Sequence, residues 1–180
     1  MLLLLKQEVN ILVEKSQLEE ELKKLHKDSF AWAMTCANYD HVEAEDILQT
    51  TYEKIYDQRA IFEKRASFKT WLFGVIYYTS REFYRKKKVR DLALKKLFLK
   101  SPEEVEYSPE KCILDEELKS KLKTALVKLP RKQKEIIELI LYHEMTIAEA
   151  SEVMNIGLGS AKTHYHRAKK KLYELLIDLR

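Results

Sequence analysis

Between Glu144 and Leu172 the chain carries the punctuation of two helices joined by a tight turn. Few folds can absorb that pattern. Thr146 is a good N-cap and Glu149 stands three residues on, the spacing of a capping box, in which each side chain satisfies a backbone N–H at the helix start. The first helix is then expected from Ile147 to about Met154. Asn155 and Gly157 interrupt it, and both residue types accept a positive φ, so the chain can turn sharply there. A second helix opens at Gly159 and Ser160 and continues through Lys171 toward Leu176.

At about 100° per residue, Ala161, Tyr165, Ala168, Leu172 and Leu176 share one narrow stripe, the expected buried side. Ser160, Thr163, His166, Arg167 and Lys170 lie opposite, with Lys162 and Lys169 on the shoulder. An apolar stripe backed by hydroxyl, imidazole and cationic groups suits a helix laid in a DNA major groove. There Arg and Lys meet guanine edges or phosphates, and Ser and Thr adapt to either. A solvated basic face occurs on any helical protein. The helix-turn-helix punctuation is what points this one to DNA.

The whole chain reads as all-helical: 180 residues hold only three glycines and three prolines, with abundant charge. That length allows one ordinary domain or two small helical ones. Net charge is a modest +4, so its distribution matters more. Arg81, Arg85, Lys86, Lys87, Lys88, Arg90, Lys95 and Lys96 crowd one segment, and Glu103, Glu104, Glu106, Glu110, Asp115, Glu116 and Glu117 the next. Such segregation points to a polyanion-binding surface beside an acidic connector. Cys36 and Cys112 form neither a metal-ligand spacing nor a disulfide framework, which makes a reduced cytoplasm the expectation. Leu2 to Leu5 is too short an apolar run for a signal peptide, and no stretch is long enough for a membrane span.

Along the first forty residues Val9, Leu12 and Val13, then Leu18, Leu22 and Leu25, then Phe30, Met34 and Ala37 recur at helical spacing as core positions, with Trp32 on the flank. A turn at Tyr39, Asp40 and His41 precedes a helix from near Val42 to about Gln58, with Ile47, Leu48, Tyr52 and Ile55 inward. Glu45, Asp46 and Gln49 cluster near its start; by themselves they read as a solvated acidic face where a helix N-terminus favours carboxylates. Ala60 to Ser67 breaks the periodicity as a loop. Ser67 can cap a helix whose apolar side is Phe68, Trp71, Leu72, Val75, Ile76, Thr79 and Phe83. Its other side shows Gly74, Tyr77, Tyr78, Arg81, Arg85 and Lys88. Rings among cations bind single strands, since bases stack on the rings while cations follow the phosphates. Each tyrosine taken singly reads equally well as amphipathic packing.

Here a pattern emerges. Ala44-Glu45-Asp46-Ile47-Leu48-Gln49, then Ser67-Phe68-Lys69-Thr70-Trp71-Leu72 and a basic helix end, resembles region two of bacterial RNA polymerase sigma factors. Leu129-Pro130 through Gly159-Ser160-Ala161-Lys162-Thr163 and His166-Arg167-Ala168-Lys169 resembles their region four. With little between, the chain is similar to the extracytoplasmic-function (ECF) group. The resemblance implies a region-two-like domain over residues 1–88, a linker over 89–117 and a region-four-like domain over 118–180. It implies that Glu45, Asp46 and Gln49 dock on core RNA polymerase, which reverses the bland reading of that patch. Lys64, Arg65, Ser67, Trp71, Tyr77, Tyr78, Arg81, Arg85 and Lys88 would serve the −10 element as the duplex melts. Ser160, Lys162, Thr163, His166, Arg167 and Lys170 would read the −35 element. An anti-sigma factor is a further expected partner. The chain departs from the family at Gly74, where a basic residue is frequent, at Tyr78, near which a polar one is, and at His164, where Arg is usual.

Catalysis is not expected, for there is no Gly-rich phosphate loop, no clustered ligand set and no nucleophile beside a base. His164 and His166 are two apart on one helix and point to different sides, a poor metal site. No cofactor is expected. A two-domain helix-turn-helix regulator without polymerase docking is the rival reading, and the Asp46–Gln49 patch with the Trp71 helix separates the two. In the second half, Leu118, Leu122, Ala125 and Leu129 start the packing, Pro130 breaks the run, and Ile136, Ile137, Ile140 and Leu141 pack the next helix.

Overall fold

The computed structural model describes the backbone of residues 2–97, 122 and 124–177, and the side chains of residues 16–92, 122 and 124–177. The acidic connector, Cys112, Leu118, the charges of Lys95 and Lys96, and the faces read at Val9, Leu12 and Val13 lie outside the described residues. Every regular element among the described residues is a helix, in the order α1 (Leu2–Cys36), α2 (His41–Tyr56), α3 (Phe68–Leu97), α4 (Arg131–Leu141), α5 (Ile147–Val153) and α6 (Leu158–Ile177). Residues 124–127 are also helical.

Local chemistry sets the boundaries. Asp40 caps α2 by accepting from the Glu43 N–H at 3.0 Å, and Ser67 Oγ accepts from the Thr70 N–H at 3.1 Å at the start of α3. Such caps satisfy donors that have no intrahelical partner. The capping box at Thr146 is complete, with the Glu149 N–H on the Thr146 hydroxyl and the Glu149 carboxylate on the Thr146 N–H. Asn155 takes φ 47° in the turn, whereas no glycine has a positive φ; Asn155 alone makes the left-handed step. The helix α3 runs to Leu97, so residues 89–97 of the expected connector are helical.

α1, α2 and α3 pack on one another, and α4, α5 and α6 do the same. The two groups are also joined: α5 lies on α3 and α4 touches α1. One continuous core holds Trp32, Ile47, Leu72, Phe73 and Ile76 together with Ile136, Leu139, Val153 and Ala161. A smaller cluster of Ala125, Leu129, Ile137, Ala168 and Leu172 sits between α4 and α6. Trp32 is fully buried, not on a flank, and its indole N–H donates to the Phe73 carbonyl at 3.0 Å. Leu141, read as a packing residue, is exposed, and Leu139 takes the core position. That change of register places Lys134, Glu135 and Glu138 inside as well.

Candidate nucleic-acid and polymerase interface

On α2, Glu45, Asp46 and Gln49 are all exposed, while Ala44, Ile47, Leu48, Thr51 and Ile55 are buried on the opposite side. Their alternation with the core positions is what turns the three outward together. Among the described residues Gln49 donates to Glu53 alone, at 3.2 Å, and His41 pairs with Glu45 at 3.5 Å. None of these contacts ties the patch to another helix. Glu43, one turn earlier, has the opposite role: Lys87 and the Tyr84 hydroxyl both donate to its carboxylate and pin α2 to α3. Lys54 adds a second pin, to Glu82 at 2.7 Å. Lys54 and Lys86 together hold the Glu82 carboxyl down to about 2.

The loop before α3, the first turns of α3 and Glu152 of α5 enclose a cleft of about 360 Å³. Phe62, Phe68 and Trp71 form an aromatic cluster with ring centroids 5.2–5.3 Å apart. Phe62 and Trp71 line the cleft with Arg65, Gly74, Val75 and Tyr78. Trp71 is half-buried, and Tyr78 is 51% exposed. Lys64, with φ 59°, and Arg65 project from the loop, Arg65 pairing with Glu63 at 2.8 Å. Ser67 is the helix cap. Phe62 was not anticipated from sequence; its signal was the one aromatic ring in the loop Ala60 to Ser67, beside Ile61.

Two of the expected strand-binding residues stand elsewhere. Tyr77 is 5% exposed, stacked on Trp32 at 6.4 Å and covered by the Arg81 guanidinium; burial raises its hydroxyl pKa. Arg81 donates to the Tyr77 hydroxyl and to both oxygens of Glu135 on α4. The face read as open is occupied here by the second half of the chain. Arg85 and Lys88 are exposed but lie farther along α3, Lys88 about 15 Å beyond Tyr78 at 1.5 Å per residue. Lys88 lines a separate groove with Lys87, Tyr84, Asp91 and Leu92.

On α6 the stripe divides as the periodicity requires. Ala161, Ala168 and Leu172 are buried and Tyr165 and Leu176 half-buried, whereas Ser160, Lys162, Thr163, His166, Arg167 and Lys170 are all exposed. The Thr163 hydroxyl donates to the Gly159 carbonyl at 2.9 Å, which leaves its oxygen lone pairs outward.

Residues 22–90 match Sigma-70 region 2, and residues 119–172 match Sigma-70, region 4. The chain is 30% identical to the ECF RNA polymerase sigma factor SigW of Bacillus subtilis, over 76% of this chain and 77% of that protein. The chain belongs to the ECF RNA polymerase sigma factors. It is also 26% identical to the ECF RNA polymerase sigma factor SigF of Caulobacter vibrioides, over 73% of this chain and 70% of that protein. Among solved structures it resembles the sigma factor RpoE in complex with the anti-sigma factor NepR from Bartonella quintana. The TM-score is 0.70 at 27% identity, covering 89% of this chain and 96% of that one. As an ECF sigma factor it is an alternative sigma factor for promoter recognition by RNA polymerase. Among the described residues no helix is long and apolar enough to cross a membrane.

Proposed function

We propose that this sigma factor divides promoter recognition between two surfaces. The exposed polar face of α6 reads the −35 element in intact duplex. Lys162, His166 and Arg167 supply cations and donors to base edges or phosphates, and Ser160, Thr163 and Lys170 fix the helix in the groove. The cleft over Trp71 receives a base extruded from the −10 element. Unstacking a base costs a few kcal/mol, and a pocket of aromatic walls with Lys64 and Arg65 at its mouth returns much of it by stacking and phosphate contact. Tyr78, Arg85 and Lys88 extend the track along α3. Glu45, Asp46 and Gln49 dock on core polymerase.

The observation that carries this reading is the cleft itself: an open aromatic pocket flanked by cations on the same helix bundle as an untied acidic patch. A regulator that only bound duplex DNA would need neither. The protein is a regulatory subunit working in the cytoplasm, without catalysis or a cofactor of its own. The likeness to a sigma factor held by an anti-sigma factor supports an inhibitory protein partner as well. Run-off transcription from a promoter library, using core polymerase with and without this protein, tests the reading. Promoter-specific transcripts that depend on the protein are expected, and transcripts unchanged by its addition would overturn it.

A further inference from the structure

We infer that the small cavity where the end of α1 meets the start of α4 is a binding site for a phosphoryl anion, with inorganic phosphate as its simplest occupant. The inference is independent of the −10, −35 and core-docking assignments.

The site is built from two chain ends. α1 stops at Cys36, and Asn38 and Tyr39 follow with φ 54° and 67°, left-handed steps to which asparagine is well suited. On the other side Pro130 opens α4, and Arg131 and Lys134 stand three residues apart, hence on one face of the helix. Both line a cavity of about 280 Å³, together with Cys36, Asn38, Tyr84 and Leu129. The two charged residues of that lining are both cations. The volume lies just under the roughly 300 Å³ at which sites for larger ligands begin, so it suits one small anion.

Lys134 carries the argument. It is 3% exposed, and a buried ammonium is costly without a counter-charge and acceptors for its protons. Among the described residues it makes no ion pair. One of its three N–H groups donates to the neutral Asn38 amide oxygen at 2.6 Å, and the ammonium stands 5.0 Å from the centre of the Tyr39 ring. The neighbouring carboxylates are engaged by other groups. Glu138 accepts from the Thr35 and Tyr39 hydroxyls, Glu135 from Arg81 and Arg131, and Glu43 from Tyr84 and Lys87. Burial accordingly lowers the Lys134 pKa, although Glu138 and Glu135 pull it upward.

The remaining donors converge on the same space. Arg131 uses its Nε on Glu135 at 2.8 Å, while its Nη2 reaches the Cys36 carbonyl only at 3.5 Å. The outer edge of the fork is therefore available to an oxyanion, and the guanidinium is held 5.1 Å from the centre of the Tyr84 ring. Arginine grips phosphate through such a fork and lysine as a point charge. With the Asn38 oxygen turned to Lys134, the amide NH2 is the group left to donate. No acidic residue stands in the first turn of α4, where the helix dipole adds to the same sign. An anion held by Asn38 of the first family region and by Arg131 and Lys134 of the second binds only when both are in place, so it stabilises their joint by linkage.

The test uses the full chain in chloride buffer of constant ionic strength. Inorganic phosphate is the probe, and adenosine monophosphate asks whether the anion can arrive as a phosphomonoester. Isothermal titration reads binding, and thermal unfolding reads stability. Phosphate should bind saturably and raise the melting temperature. Equal binding of the nucleotide assigns the site to phosphoryl groups in general, and its exclusion assigns it to the free ion. Asn38→Asp is the deciding variant, because it places a fixed carboxylate beside Lys134. It should raise the melting temperature without phosphate and weaken phosphate binding about tenfold or more. Lys134→Met, of similar length and apolar, should weaken binding by a similar factor. Four results would each overturn the site: no saturable binding to the parent, binding of the nucleotide alone, phosphate binding undiminished in both variants, or a chain destabilised by Asn38→Asp.

Discussion

Arg81 on α3 and Glu135 on α4, 54 residues apart in sequence, are joined through both carboxylate oxygens, and the Glu135 side chain is fully buried. Arg131 completes the arrangement on the same carboxylate at 2.8 Å. Arg81 ties the two family regions together through this buried carboxylate, Arg131 pairs with it within α4, and removing the carboxylate leaves both cations facing each other. Full loss of a buried pair costs about 3–5 kcal/mol. Both arginines keep a partly solvated edge, so Glu135→Ala should lower the stability of the intact chain by a smaller amount, about 1–3 kcal/mol. Urea unfolding followed by circular dichroism checks this. Stability equal to the parent would mean that the pair contributes nothing to holding the two regions together.

The acidic patch on α2 should behave in the opposite way. Asp46 and Gln49 are exposed, and among the described residues neither has a hydrogen bond or ion pair to another helix, so the double change to Ala should alter stability by no more than about 0.5 kcal/mol. Core polymerase binding should fall, as read by pull-down or by competition with the parent protein. Undiminished capture of core would remove these residues from the docking surface.

Arg167 on α6 is exposed and needed by no neighbour in the core. Arg167→Ala should leave thermal unfolding unchanged. If the guanidinium reads a base edge, about 1–3 kcal/mol of discrimination is lost at one −35 position; if it grips a phosphate, all sequences weaken alike. Binding to a set of single-base promoter variants separates the two.

The helix-turn-helix was legible because its signals are local. A cap three residues before its partner, an Asn in the turn and a stripe at helical period all act within one or two turns of helix. The faces of α3 and α4 were not, for a physical reason. A helix covered on one side advertises that side by periodicity, but α3 is covered by α1 and α2 on one flank and by α5 on another. Tyr77 and Phe73 therefore lie inside while the pattern still reads as one-sided. Lys134, Glu135 and Glu138 look like a solvated face until their partners are placed, and those partners, Asn38, Arg81, Thr35 and Tyr39, lie tens of residues away. No window of sequence holds both members of such a pair.

His143 makes stability sensitive to acid. The ring lies between Trp32 and Phe73, with centroids 6.1 and 4.8 Å away, and neither ring nitrogen has a hydrogen-bond partner among the described residues. Burial first, then the nearby Lys69 of α3, lower its pKa to about 4, against the pull of Asp28 on α1. A histidine of depressed pKa takes up its proton more readily when unfolded, so its contribution rises with pH between about 4 and 6.5 and is lost as pH falls through that window. The loss approaches roughly 3 kcal/mol at the acid end. Glu138, raised by burial, works the other way, its contribution fading as pH rises above the ordinary carboxylate range. Urea midpoints at pH 7 and pH 5 should therefore differ more for the parent than for His143→Phe. Parallel pH profiles would show that the imidazole is not the responsible group.

Tyr77 and Tyr78, adjacent in sequence, should separate cleanly in function. Tyr77 is buried against Trp32 under Arg81, so Tyr77→Ala opens a cavity and should cost about 3 kcal/mol or more in stability. Any loss of transcription then follows from loss of structure. Tyr78 is half-exposed at the edge of the cleft, and Tyr78→Ala should leave the melting temperature, core binding and −35 contact as they are. If its ring stacks on the melted strand, removing about 1–3 kcal/mol of stacking slows strand opening by roughly 5- to 150-fold. A premelted bubble should restore the rate, because that stacking energy is no longer needed to part the strands. Permanganate footprinting on duplex and bubble templates, side by side, reads both. Equal loss on the two templates would place Tyr78 in docking or folding, and no loss on either would leave the cleft to Trp71 and Phe62 alone.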